Sequence, residues 1–329
     1  MIKIPEIRHD LISGNWVIIA PKRGTRPDNF KKKKSRLRTS RGNCPFEGSL
    51  EEQKVITLYG RGEDWEIAVL ENKYPALTHG DYSPLKKKNG AYELLKGFGH
   101  HDLIVTRDHY VNFPDLSSER AVDVLKATRD HYQLLKREKE VAYVSVFHNW
   151  GPGAGASIFH PHYQIIAVPI IPKAVEVSLG NSGRFFRKRK RCMHDFVIDH
   201  ELKVKKRIVF RNESAIVVAP YVSREPFQLR VYPLRHLPCF EMTPERELRD
   251  VAQALQEALR RIKSKLHDPD YNFYLHTAPT RHQASYRHYH WHIEIIPKLN
   301  VDAGFELGTG IQINSVDPDD AAKILRGRK

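Results

Sequence analysis

The chain has 329 residues, of which 40% are hydrophobic and 28% charged, with a formal net charge of +15. That balance excludes a disordered or collagen-like chain, and no apolar run approaches the roughly 20 residues of a membrane-spanning helix, so no membrane partner is expected. Three scattered cysteines, Cys44, Cys192 and Cys239, are too few for a disulfide framework. With no secretory-type apolar stretch at the amino terminus, a cytoplasmic location is expected.

In chain order, residues 102–109 (DLIVTRDH) read as a strand, and Ser117 as the N-cap of a helix to about Glu138. Ala121, Val122, Val124 and Leu125 recur on one side of that helix. A strand at 141–149 (VAYVSVFHN) follows, then the loop GPGAGAS at 151–157 and the segment HPHYQIIAVP from His160. The basic stretch between about 180 and 206 reads as a linker. The same order then returns: a strand at 228–236 (QLRVYPLRH), Thr243 and Pro244 as cap and first turn of a helix to about Leu266, a strand at 272–276 (NFYLH), and HYHWHIEIIP. His109 and His160 lie 51 positions apart, and His236 and His290 lie 54 apart. A duplicated α+β unit is expected, with domains at 1–185 and 186–329.

The positive charge is partly gathered in runs at Lys31–Lys34, Lys86–Lys88 and Arg187–Arg191. No aromatic residues interleave these runs at a stacking period, so they read as solvated surface and no nucleic-acid partner is expected.

The chemistry concentrates in His160-Pro161-His162-Tyr163-Gln164. On a strand, alternate residues share a face, so His160, His162 and Gln164 line one surface. The small residues upstream would let backbone N–H groups approach phosphate oxygens closely.

HPHYQ resembles the HPHxQ signature of the galactose-1-phosphate uridylyltransferase branch of the histidine-triad superfamily. NWVIIAPKRGTRP, CPFE, VLENKYPAL, HDLIVTRDH, FHNWGPGAGAS, HYHWHIEIIPKL and GFELGTGIQIN follow in the family's order. The resemblance implies two tandem histidine-triad-like domains, each an antiparallel sheet with packed helices. It implies that His162 is a covalent nucleophile and that Gln164 donates to a phosphoryl oxygen. Asn149 and Ser157 fall on phosphate-contacting positions, Arg23, Arg26 and Asn72 on nucleotide-binding positions, and Glu306 and Gln312 on hexose-contacting positions. Phe305 stands where a tyrosine is often found.

The family's zinc site uses a CxxC pair and two histidines. Here Cys44, Glu47, His109 and His160 would hold a structural zinc ion, with a carboxylate in place of one thiolate. For the family's second, iron site, His276, His290 and His292 match, but the glutamate position falls on or near Ser178, with Glu176 close by, and the set is incomplete. Cys192 has no partner cysteine, and no metal is expected there.

The implied activity is transfer of UMP between UDP-glucose and a hexose 1-phosphate, galactose 1-phosphate first, in a homodimer and through a nucleotidyl-histidine. The alternatives are an ADP-sugar phosphorylase or adenylyltransferase on the same fold and, more remotely, a non-catalytic nucleic-acid-binding protein. Gln164 argues against a hydrolase.

Overall fold

The computed structural model describes residues 4–25, 38–48, 52–61, 64–79 and 86–327. The strands of the first half are β1 (Glu6–His9), β2 (Trp16–Ile19), β3 (Val55–Arg61), β4 (Asp64–Glu71), β5 (Lys87–Asn89), β6 (Tyr92–Leu94) and β7 (His100–Thr106). Helix α1 (Ser118–Leu135), β8 (Tyr143–Trp150), β9 (His162–Val168), α2 (Lys173–Arg189) and α3 (Met193–Val204) follow. Then come β10 (Ile208–Arg211), β11 (Ala215–Val218), β12 (Leu229–Pro233), α4 (Glu245–Lys265), β13 (Tyr271–His276) and β14 (His292–Pro297). The chain closes with α5 (Gly304–Thr309), β15 (Gln312–Asn314) and α6 (Pro318–Leu325).

Ten strands form one antiparallel sheet in the order β10-β11-β12-β14-β13-β8-β9-β7-β4-β3. Read outward from its middle, β8-β9-β7-β4-β3 mirrors β13-β14-β12-β11-β10, so the repeat in the sequence is a repeat in the sheet. The halves join through β8 and β13, where Asn149 lies opposite Asn272 and His148 opposite Phe273. The fold is α+β, with two histidine-triad-like halves sharing one sheet. The position 185/186 lies inside α2.

One face of the sheet carries α1 and α4. Ser117 accepts a hydrogen bond from the Arg120 amide and caps α1, whose Ala121, Leu125 and Tyr132 are buried against the sheet. Leu248, Leu255, Leu259 and Ile262 give α4 the matching buried stripe. Each fully buried leucine contributes roughly 1.5–3 kcal/mol. Thr243 does not cap α4. Its hydroxyl donates to the Phe240 carbonyl at 2.7 Å, and Pro244 takes the capping position instead.

The basic stretch from 180 to 206 is helical, not a linker. Val175, Leu179, Ser182 and Gly183 make a buried stripe at helical spacing along α2, and Lys190, left-handed at φ 54°, ends that helix. Helix α3 covers the second face of the sheet in the carboxyl half by packing Ile198 against Ile216, Val218 and Tyr232. In the amino half, Cys44 and Phe46 pack on the same side against Trp65, Ala68, Leu103 and Val105. No described helix is long and apolar enough to cross a membrane.

Candidate active site

The site lies where β9 begins, beside β7. Tyr163, Ile165 and Ala167 turn to the helix-covered core, leaving His162 and Gln164 on the opposite face. His162 is buried, and its Nδ1 lies 2.9 Å from the His160 carbonyl. A carbonyl only accepts, so Nδ1 carries the proton and Nε2 keeps its lone pair. Burial pushes the His162 pKa down and favours that neutral form. The Phe46 ring packs 5.4 Å from His162.

Gln164 is half-buried, and its Oε1 lies 3.0 Å from His101 Nε2. Asn72 approaches the same ring nitrogen at 3.1 Å through its amide nitrogen. Asn149 accepts from the Asn272 amide at 2.7 Å, which leaves its own NH2 group free to donate elsewhere. Ser157 is exposed at the end of the glycine loop, and Arg26 lies outside the described residues.

The glycine loop folds into a tight turn. Gly151 and Gly155 hold φ values of 83° and 85°, as a tight turn demands. The turn uses its own amides: Ala154 and Ala156 donate to the Gly151 carbonyl, Gly155 to the Pro152 carbonyl, and Gly153 to Asp270 at 2.7 Å. Those four N–H groups have acceptors within the protein.

Cys44, His109 and His160 place one potential ligand atom each within 4.8 Å of one another. His160 Nδ1 lies 3.5 Å from Cys44 Sγ and 3.7 Å from Glu47 Oε1, and His109 Nδ1 lies 3.0 Å from that same oxygen. Tetrahedral zinc with bonds of about 2.0–2.3 Å puts its ligand atoms roughly 3.3–3.7 Å apart. Both histidines turn Nδ1 inward because Nε2–H donates to a backbone carbonyl, Thr39 for His109 at 2.9 Å and Thr106 for His160 at 2.7 Å. The donor set fits zinc.

The carboxyl half repeats this arrangement. Cys192, Asp195, His236 and His290 form a second group within 4.8 Å. His236 and His290 again give Nε2–H to backbone carbonyls, Arg287 at 2.9 Å and Pro233 at 3.1 Å, and turn Nδ1 to the carboxylate of Asp195. Asp195 stands three positions after Cys192, as Glu47 does after Cys44. The iron-type set expected from His276, His290 and His292 is divided: His290 belongs to the second group, while His276 and His292 gather with Glu294. Arg230 lies 2.7 Å from Glu294, an arrangement unsuited to a cation.

Residues 62–326 match the family described as "Domain of unknown function (DUF4921)". The chain is 31% identical over 329 residues to the ADP-glucose phosphorylase of Arabidopsis thaliana, with 98% of this chain and 92% of that protein covered. It is 27% identical to the galactose-1-phosphate uridylyltransferase of Thermotoga maritima, with 98% of each covered. A solved structure of an Arabidopsis thaliana ADP-glucose phosphorylase with bound ADP-glucose superimposes with a TM-score of 0.86 at 28% identity, covering 99% of this chain and all of that one. The chain belongs to the galactose-1-phosphate uridylyltransferase-like family. It is an enzyme of that family, and the general activity of these relatives is nucleotidyl transfer.

Within the uridylyltransferase-like frame, the hexose-position residues lie in a place of their own. Glu306 and Gln312 line a cavity of about 320 Å³ together with Arg23, Glu225, Asp302 and Phe305, and neither His162 nor Gln164 lines it. Burial raises the Glu225 carboxyl to about 7, with Asp302 adding to the effect. Sequence reasoning missed His101, Asn272 and Asp195. Only Asp195 carried a signal in the chain, its spacing from Cys192.

Proposed function

We propose that the protein moves a nucleoside monophosphate from a nucleotide sugar to a phosphate acceptor through a nucleotidyl-His162 intermediate. The observation that carries this reading is the His162 imidazole, held by the His160 carbonyl with Nε2 unprotonated. In the first step Nε2 forms a bond to the α-phosphorus. The bond from that phosphorus to the bridging oxygen breaks, and the hexose 1-phosphate leaves with the electron pair. In the second step an acceptor phosphate oxygen attacks the same phosphorus, and the P–N pair returns to Nε2.

The amide N–H of Gln164 would stabilise the charge developing on a non-bridging phosphoryl oxygen without supplying a proton for hydrolysis. Asn149, Ser157, Asn72 and Arg26 would hold the nucleotide, whereas Arg23, which lines the same cavity as Glu306 and Gln312, would reach the nucleotide of a second copy. Glu306 and Gln312 would hold the hexose hydroxyls, serving the site of a second copy in a homodimer, which agrees with the distinct cavity they line.

ADP-glucose stands ahead of UDP-glucose as the donor, because the 31% relative and the 0.86 superposition are both ADP-glucose phosphorylases. This reverses the order drawn from the motifs alone. Inorganic phosphate is then the acceptor. The UDP-glucose reading, with galactose 1-phosphate as acceptor, is second and rests on the 27% relative.

Both four-residue groups would bind zinc as a structural ion that fixes the start of β9 or β14. Metal analysis of the purified protein should return about two equivalents per chain, and Cys44→Ala and Cys192→Ala should each lose about one.

The deciding experiment is intact mass after incubation with ADP-glucose or UDP-glucose at neutral or basic pH, with His162→Ala alongside. An AMP adduct absent from the variant supports the phosphorylase reading, and a UMP adduct the uridylyltransferase. If no adduct forms and both sugars persist, the covalent mechanism is wrong.

A further inference from the structure

We infer that His101 is a positioning residue that sets the direction of the Gln164 amide, so that its NH2 group, and not its carbonyl, faces the transferred phosphoryl group. The inference rests on the proposed nucleotidyl transfer. A side-chain amide is two-faced: one orientation donates to an anion and the other repels it. Something in the fold must choose.

Strands β7 and β9 are neighbours, with Leu103 opposite Gln164 and His101 opposite Ile166. His101 therefore sits diagonally across from Gln164 on one face, within reach of a long side chain. The backbone N–H of Ala76 points at His101 Nδ1 from 3.1 Å. A main-chain amide can only donate, so Nδ1 is unprotonated and a neutral His101 carries its proton on Nε2. That Nε2–H meets Gln164 Oε1 at 3.0 Å. Turning the Gln164 amide over would leave Nε2–H facing two NH2 groups and no acceptor.

Asn72 closes the alternative. Its Oδ1 receives the Tyr74 amide at 2.9 Å, so the group 3.1 Å from His101 Nε2 is its NH2, a second donor that makes no hydrogen bond with Nε2–H. Its backbone N–H also donates to the His101 carbonyl at 2.9 Å, tying the two segments together. Between two amide groups, His101 Nε2–H finds its acceptor in Gln164. The carbonyl end of Gln164 is thereby tied back, and the nitrogen end is left to the substrate.

The test is the single-turnover rate of adduct formation from ADP-glucose, with UDP-glucose in parallel, across a double-mutant cycle. His101→Leu removes the donor and should slow adduct formation roughly 10-fold at little change in the half-saturating sugar concentration. That is a fraction of the 10²–10³-fold lost when an oxyanion donor is removed outright. His101→Gln carries an N–H to the same region and should regain most of the rate. In a Gln164→Ala background, His101→Leu should cost less than about twofold, since its effect runs through an amide no longer there.

Equal slowing in both backgrounds, or a His101→Gln variant no faster than His101→Leu, overturns the inference while leaving nucleotidyl transfer intact. Absence of any adduct in the unmodified protein overturns the transfer reading itself. A readout independent of turnover is the long-range ¹H–¹⁵N spectrum of histidine-labelled protein. His101 should appear as the Nε2–H tautomer, and an Nδ1–H tautomer would refute the proposed lock.

Discussion

Strands β9 and β14 are two copies of one device, and they end in different chemistry. In each, the first histidine gives Nε2–H to a neighbouring strand, His160 to Thr106 at 2.7 Å and His290 to Pro233 at 3.1 Å. In each, the second histidine gives Nδ1–H to the carbonyl of the first, His162 at 2.9 Å and His292 at 3.2 Å. The third position separates them. Gln164 is neutral and held through one oxygen, whereas Glu294 is held by Arg230 at 2.7 Å and by the Tyr274 hydroxyl at 2.8 Å. Arg230 in turn reaches Asp10 at 3.2 Å. Burial alone would keep Glu294 protonated, but the charge of Arg230 outweighs it and holds the carboxyl well below its usual range. The strand geometry is thus shared by both halves, and the third side chain is what differs. Under the proposed transfer, a neutral amide leaves room for a phosphoryl anion, while a carboxylate locked to an arginine uses the same place as an ion pair.

The comparison breaks most plainly at the second histidine. His162→Ala should abolish the nucleotidyl adduct, whereas His292→Ala should still form it, read by intact mass and by peptide mapping of the modified site. An adduct mapped to His292 would reverse the assignment of the two halves.

The ion pair can be broken from the other side. Arg230→Met leaves Glu294 and Asp10 without their cation in a buried setting, and such a loss costs about 3–5 kcal/mol. Urea denaturation should show that loss, while the adduct rate per folded molecule stays near that of the parent. Adding Glu294→Gln to Arg230→Met should recover part of the stability, because one orphaned charge is removed.

Moving the second-half chemistry into the first sharpens the comparison. Gln164→Glu places a carboxylate where the proposed transfer docks a phosphoryl oxygen, so both repulsion and the lost donor would act against the reaction. Adduct formation should fall by roughly 10²–10³-fold, measured in single turnover. A loss under about threefold would show that Gln164 does not face the phosphorus.

Much of this was legible in the chain and some was not, for identifiable reasons. The alternation of HPHYQ put His162 and Gln164 on one face, and the repeated order of elements foretold the mirrored sheet, because both depend on local periodicity. Glu47 was acceptable as a ligand, since a carboxylate three positions after Cys44 preserves the CxxC spacing. The same substitution at Asp195 is less legible, because a carboxylate beside Cys192 does not announce itself as a ligand as a second cysteine would. Helices α2 and α3 were hidden by the basic residues on their exposed faces, which mask the stripe from Val175 to Gly183. His101 lies 63 positions from Gln164 and meets it only through strand pairing. No spacing rule within a single segment exposes such a partner.

The smallest expected effect concerns a position where the halves differ beneath the site. His148 lies opposite Tyr163, and its counterpart Leu275 lies opposite Ile293. His148 Nδ1–H donates to the His162 carbonyl at 2.7 Å, within van der Waals reach of the Tyr163 and Phe273 rings. Burial lowers its pKa from 6.5 to about 3. Below pH 6.5 the unfolded chain takes up a proton here that the folded protein refuses until about pH 3. Stability is therefore fully present above 6.5 and declines as the pH falls, by up to about 1.4 kcal/mol per pH unit from this one group. Replacing it with the residue of the second half, His148→Leu, should lower stability above pH 6.5, since the His162 carbonyl loses its donor, and the deficit should shrink as the pH falls, because leucine takes up no proton in either state. The slope of unfolding free energy between pH 4 and 6 should correspondingly flatten by about one proton. An unchanged slope would mean that His148 is protonated in the folded protein, and that the hydrogen bond to the His162 carbonyl comes from an imidazolium.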